Sequence, residues 1–197
     1  MFKRMFCLLT ALALMTCGLA MAEVLLAEAA PLAEGADSDW YMAVLADPEL
    51  TKQFPCHAFV DVNGDGVPVL IVSTTEDSFI TGEDAARVYI YANGEPKPVM
   101  DVGYSGGEIF YCNQEEHTLT YFYRFSGEGH IEVYHVKDGA LELLTKADRY
   151  GPFHSPEGDN TEEVYFQDGE PIDEAACEAL CEKYANDKDV ITYEKQQ

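Results

Sequence analysis

Basic side chains are scarce in this sequence: 12 Lys and Arg stand against 36 Asp and Glu, a formal net charge of −24. A field of that sign repels phosphate backbones and argues against nucleic acid as a partner, while it attracts cations and basic surfaces and favours solubility. Long apolar runs are equally scarce. Beyond the N-terminal stretch no segment supplies the roughly 20 consecutive apolar residues that a membrane-crossing helix needs, so a transmembrane span is not expected. Chemical signatures are missing too. His57, His117, His130, His135 and His154 show no metal-peptidase spacing, there is no CxxC pair, and no nucleophile elbow of the G-x-S-x-G kind occurs. Ser105-Gly106-Gly107 and Ser126 to Gly129 are glycine-rich, but no helical pattern follows either, so neither offers the helix N-terminus that cradles phosphate. In so acidic a chain two carboxylates can always be paired for glycoside hydrolysis, so such a pairing carries no information.

What is present begins with an address. Lys3 and Arg4 precede an apolar run from Phe6 to Met15, and Ala20-Met21-Ala22 supplies the small-x-small pattern of a cleavage site, so residues 1–22 read as a secretory signal peptide cut before Glu23. A second reading is a lipid anchor on Cys17, where Leu14-Met15-Thr16-Cys17 approximates a lipobox. Free secretion or cell-surface location is the expectation. Lys3 and Arg4 are the only charged residues of that stretch, so cleavage takes the net charge from −24 to −26. Residues 23–36 are Ala- and Glu-rich and read as a flexible leader, and residues 37–197 as one globular domain, expected to be monomeric.

Four cysteines follow the leader: Cys56, Cys112, Cys177 and Cys181. Export permits disulfides, and sequence does not choose among the three pairings; buried free thiols are the other reading. Trp40, Tyr41, Val44 and Leu45 mark one face of a short helix capped by Asp37 or Ser38. His57–Val60 reads as a short strand, and Val67 to Val72 as a strand buried on both faces. Asn93-Gly94, Asp138-Gly139 and Asp168-Gly169 each accept positive φ at both turn centres and so predict type I′ hairpins. Candidate strands lie at 87–92, 97–102, 108–112, 118–125, 130–136, 140–146 and 164–167. Leu119, Tyr121, Tyr123 and Phe125 alternate as one core face, while Phe122 and Arg124 share the other. His130, Glu132 and Tyr134 share one face of their strand, which reads as surface. Asp173 caps a helix from Glu174 to about Ala185 whose apolar face includes Cys177 and Cys181, and Val190–Tyr193 reads as a short terminal strand. The fold class is α+β: an antiparallel meander sheet or flattened sandwich of about six to eight strands, with a short helix at each end. A β-barrel with peripheral helices is the alternative.

Asp61-Val62-Asn63-Gly64-Asp65-Gly66 matches the first half of an EF-hand calcium loop. Side-chain oxygens of Asp61, Asn63 and Asp65 and the carbonyl of Val67 would converge on a hard cation, and Gly66 permits the sharp turn. The second half is missing: Val69 and Val72 stand where ligands are expected, so remote acids such as Glu76, Asp77, Glu83 and Asp84 would have to complete the shell. A turn closed by its own Asx hydrogen bonds, without metal, is equally open.

The stretch Phe59 to Val72 resembles a recurrent segment of exported bacterial proteins of unassigned function, in which a helix and strand lead into a D-x-N-G-D-G-x-P-x-L loop, a hairpin meander and a C-terminal helix. Gln167 to Glu174 is similar to the late turn of that layout, and the loop itself resembles those of dockerins and integrin-type repeats. The resemblance implies a calcium loop and no reaction; Val69 departs from it, standing where the pattern has Glu. Two functions are therefore carried forward. One is an exported, non-catalytic acidic domain that binds a protein or glycan partner, with calcium in a degenerate loop. The other is a small secreted hydrolase or hydrolase accessory module, to which a concave cleft with converging acids and a histidine would point.

Overall fold

Twelve strands and three helices make up the computed structural model, which describes residues 39–103, 106–152, 162–186 and 189–196. The expected signal peptide (1–22) and leader (23–36), with Asp37, Ser38 and His154, lie outside the described residues. In chain order the elements are α1 (Asp39–Leu45), α2 (Pro48–Gln53), β1 (Cys56–Val60), β2 (Val69–Ser73), β3 (Ile80–Thr81), β4 (Ala85–Ala92), β5 (Glu95–Gly103), β6 (Gly107–Asn113), β7 (Thr118–Phe125), β8 (Glu128–Lys137), β9 (Ala140–Tyr150), β10 (Val164–Gln167), β11 (Glu170–Ile172), α3 (Glu174–Tyr184) and β12 (Glu194–Lys195). Among these helices none is long and apolar enough to cross a membrane.

The strands form two antiparallel sheets, one of order β12-β1-β2-β4-β5 and one of order β11-β10-β9-β8-β7-β6-β3. The α+β meander expectation holds in its sandwich form; there is no closed barrel. Val69 and Ile71 point into a core shared with Phe110 and Leu119 of the opposite sheet, while Leu70 and Val72 point outward under Trp40, Tyr41 and Val44 of α1. That is why β2 is apolar at successive positions: both of its faces are covered. The outer face of the seven-stranded sheet packs Ile131, Val133 and Ala147 against Cys177 and Tyr184 of α3. The order of layers is thus helix, sheet, sheet, helix. Prolines sit where a strand needs no donor toward a further neighbour: Pro96 and Pro98 on β5 and Pro171 on β11, both edge strands.

The three predicted hairpin turns have positive φ at both centres: Asn93 and Gly94, Asp138 and Gly139, Asp168 and Gly169. Other expectations are corrected. The strand predicted from Val67 starts at Val69, because Pro68 has no N–H and the Val67 N–H is taken by the Asp65 carboxylate. A second N-terminal helix, α2, follows the first. Asp47 caps it by accepting from the Glu49 and Leu50 amides, with Pro48 at its first position. Val190 makes only a bridge to Tyr111, and the terminal strand comes later, at Glu194–Lys195 on β1. The tail between them buries Ile191 and Tyr193 in the inter-sheet core. All four described cysteines are free thiols. Burial pushes Cys112 up to about 12 and Cys177 up to about 11, so neither is poised to react as a thiolate.

Candidate functional site

The two ends of the sandwich differ. At one end, β1 and β2 are joined by the Asp61–Gly66 loop. Asp61 Oδ2 accepts the Gly66 amide at 3.0 Å, and Asp65 Oδ1 accepts the Val67 amide at 2.9 Å. Gly66 is at φ +80°, a conformation that a side chain would strain. Val62 is buried and anchors the loop, and Asn63 Nδ2 donates to the Val136 carbonyl of β8 at 3.0 Å, tying the loop to the opposite sheet. The Tyr41 hydroxyl donates to the Pro68 carbonyl at 2.6 Å; burial, with Asp61 and Asp65 adding negative charge nearby, raises its pKa.

Of the four expected ligands, then, Asp65 and Asn63 have one polar end each committed to backbone, and Asp61 keeps Oδ1 buried without a partner. That orphan oxygen suits a cation. Of the acids expected to complete the shell, Glu76 pairs with Lys195 at 3.3 Å, and Asp84 accepts from the Thr74 hydroxyl at 3.0 Å. Among the described residues no group of three or more His, Cys, Asp or Glu stands close enough to hold a metal ion.

At the other end the seven-stranded sheet outruns its partner. Burial along β7 falls from Thr118, Leu119 and Thr120, through half-buried Tyr121 to Tyr123, to exposed Arg124 and Phe125. The face predicted to be all core is therefore fully buried only at Leu119; Tyr121 packs against the edge of that core beside Phe110, and Phe125 is exposed. Tyr121 and Tyr123 instead line a cleft of 360 Å³, with Val102 and Gly103 of edge strand β5 on one side and His130 and Glu132 of β8 on the other. Phe122, on the opposite face, packs under α3.

Register assembles this cleft: Tyr123 lies opposite His130, and Tyr121 opposite Glu132. The Tyr123 and His130 rings stack with centroids 5.5 Å apart. His130 Nδ1 meets Asp148 Oδ1 of β9 at 2.6 Å, and Lys146 Nζ lies 3.6 Å from Asp148 Oδ2. The Tyr134 hydroxyl donates to Glu132. Glu108 sits at the cleft floor with 2% of its surface exposed. Burial raises its pKa, against hydrogen bonds donated by the Tyr121 hydroxyl and the Gly103 amide. Gly103 is at φ +121°, and a Cβ there would lie 2.4 Å from the Asp84 carbonyl, so this donor position requires glycine. The second carboxylate oxygen, Oε2, is buried with no partner.

Local sequence patterning does not disclose this cleft. The alternation of His130, Glu132 and Tyr134 was visible, but the neighbours that turn it into a cleft come from β6 and β7. The usable signal was Ser126-Gly127, a two-residue turn that sets Tyr123 against His130. The larger groove, 680 Å³ between α2 and the five-stranded sheet, includes Leu50, Arg87 and Tyr89. Its Arg87 is bonded to Asp101 and lies over the Phe54 ring. No family model matches the chain, and comparison with curated proteins and with solved structures returned no match.

Proposed function

We propose that this chain is an exported, non-catalytic binding domain whose ligand site is the cleft of Glu108, Tyr121, Tyr123, His130 and Glu132, and whose Asp61–Val67 loop takes calcium as a structural ion. The observation that carries the reading is the uncovered inner face of the seven-stranded sheet: the half-buried rings of Tyr121 and Tyr123, with His130 and Glu132 beside them, line a concave space. The polar groups there are paired within the sheet, His130 to Asp148, Glu132 to Tyr134 and Glu108 to Tyr121. The described lining holds no Ser, Thr or Cys to serve as a nucleophile. Asp61, Asn63, Asp65 and the Val67 carbonyl would hold the calcium, and its charge would satisfy Asp61 Oδ1. The second reading, a secreted hydrolase, draws on the His130–Asp148 pair, which has the geometry of an oriented base.

One comparison separates the two. Ester, peptide and glycoside substrates are incubated with the protein and with His130→Ala, while the Tyr121, Tyr123 and His130 ring resonances are followed. The binding reading expects shifted rings and no turnover. Turnover abolished by His130→Ala would replace it with the hydrolase reading. For the loop, calcium heats in the parent that vanish in Asp61→Ala are expected; equal, negligible heats in both would remove the calcium.

A further inference from the structure

We propose that Cys177 and Cys181 of α3 form a two-coordinate site for copper(I), held between their two sulfurs. The residues stand four apart in an unbroken helix, Glu174–Tyr184, so they share one face a turn apart. Both pack on the outer face of the seven-stranded sheet, against the cluster of Ile131, Val133 and Ala147. Their thiols are free and hydrogen-bonded to each other, so the sulfurs already lie together. Cys177 keeps 8% of its surface exposed and Cys181 is half-buried, so the pair opens to solvent at Cys181.

The helix also keeps the pair from closing on itself. Residues one turn apart hold their Cβ atoms about 5–6 Å from each other, whereas a disulfide needs about 3.5–4.5 Å. Such a dithiol suits an ion that sits between two sulfurs. Ligand type narrows the ion, because thiolates are soft donors that select copper(I) and zinc over magnesium or calcium. Ligand number narrows it further. Zinc takes four ligands, and among the described residues no third His, Cys, Asp or Glu joins the two thiols to make a metal-binding group. Copper(I) is satisfied by two thiolates in a line. Binding releases two thiol protons to solvent and leaves a bis-thiolate complex of net charge −1, with no change of oxidation state. Arg149, although paired with Glu163, places positive charge near both sulfurs, against the negative charge of Glu178. The apolar floor beneath the thiols keeps water from the inner side of the ion.

The test titrates the purified full chain, reduced and free of air, with copper(I) in competition with the chelator bicinchoninate. Every sample carries Cys7→Ala and Cys17→Ala, so that only Cys56, Cys112, Cys177 and Cys181 compete for the ion. The chain is expected to withhold a single copper from the chelator and to develop an ultraviolet band of thiolate-to-copper charge transfer. X-ray absorption at the copper edge should count two sulfur neighbours and no other ligand. Cys177→Ala and Cys181→Ala should each weaken binding about a hundredfold or more, since even outer partners of a metal ligand contribute about 10–100-fold. Cys56→Ala and Cys112→Ala, whose thiols lie in the inter-sheet core, should bind as the parent does. Far-UV circular dichroism checks that each variant is folded, and Cys181→Ala, at the half-buried position, keeps the test open should Cys177→Ala fail to fold. Zinc should be held far more weakly than copper. Transfer of all the copper to bicinchoninate, parent-like binding in folded Cys181→Ala, or loss of binding in folded Cys112→Ala would overturn the proposal. So would a third copper ligand, or zinc held as tightly as copper.

Discussion

Glu108 is a carboxylate held inside the fold with one oxygen bonded and the other buried and bare. Its pKa lies above the ordinary 4.5 because burial disfavours the anion. The sign follows. From 4.5 up to the raised folded value, the folded chain keeps a proton that the unfolded chain has released, so stability falls as pH rises through that window. Above it the full penalty is present. The groups facing Glu108 are the Gly103 amide and the Tyr121 hydroxyl, with Tyr123, His130 and Glu132 around the cleft, and none donates to Oε2. Glu108→Gln is therefore expected to gain about 1–2 kcal/mol at pH 7 and to flatten the parent's decline above pH 4.5. Urea midpoints across pH 4 to 8 check this. A variant less stable than the parent at pH 7 would show that the anion is compensated by groups outside those named.

At the scale of elements, the Asp61–Gly66 loop and the C-terminal tail act as ties between sheets that share no strand. Asn63 donates from the five-stranded side to the Val136 carbonyl of β8, and Ile191 donates its amide to the Phe110 carbonyl of β6 while its side chain enters the core. Asn63→Ala is expected to cost about 1 kcal/mol, since it removes one part-buried hydrogen bond and leaves a carbonyl bare. Ile191→Ala, which empties a buried site, is expected to cost about 2–4 kcal/mol. Denaturant midpoints rank the two, and Asn63→Ala as the costlier would make the loop, rather than the tail, the main clasp. The same ties mark the limit of what sequence could show. Local chemistry announced the hairpins: Asn93-Gly94, Asp138-Gly139 and Asp168-Gly169 each set their own backbone. Asp173 and its helix were legible for the same reason, and β2 through its unbroken apolar run. Long-range choices were not. That β3 leaves its neighbours to join the second sheet, or that Glu194–Lys195 returns to β1, depends on partners far along the chain and leaves no periodic trace. The cleft failed to announce itself because Tyr121 and Tyr123 continue the alternation that Leu119 begins. Amphipathic tyrosines fit a core and a wet cleft equally well.

Across the whole molecule the imbalance of charge, −24 for the chain, governs how stability responds to solution conditions. The described ion pairs sit mostly at the surface, such as Arg149–Glu163 at 2.6 Å and Lys183–Glu116 at 3.1 Å. With 36 acids and 12 bases, most carboxylates have no cation to meet. Self-repulsion of that kind destabilises the compact state and is screened by salt. The screening length falls from about 30 Å at 0.01 M to about 3 Å at 1 M, so sodium chloride alone should raise the thermal midpoint steadily over that range. Calcium must be judged against this background, because any divalent ion screens an acidic surface. A bound ion at Asp61, Asn63, Asp65 and the Val67 carbonyl would add a saturable increment on top of the salt effect, since a ligand held by the folded state alone stabilises it by mass action. In the parent at 0.5 M sodium chloride, millimolar calcium is expected to raise the midpoint further, with no comparable effect of magnesium, which demands a tighter octahedral shell than a half-loop supplies. In Asp61→Ala the sodium chloride response should persist and the calcium increment disappear. Equal calcium increments in parent and variant would assign the whole effect to screening and leave the loop a turn closed by Asp61 and Asp65 on the amides of Gly66 and Val67.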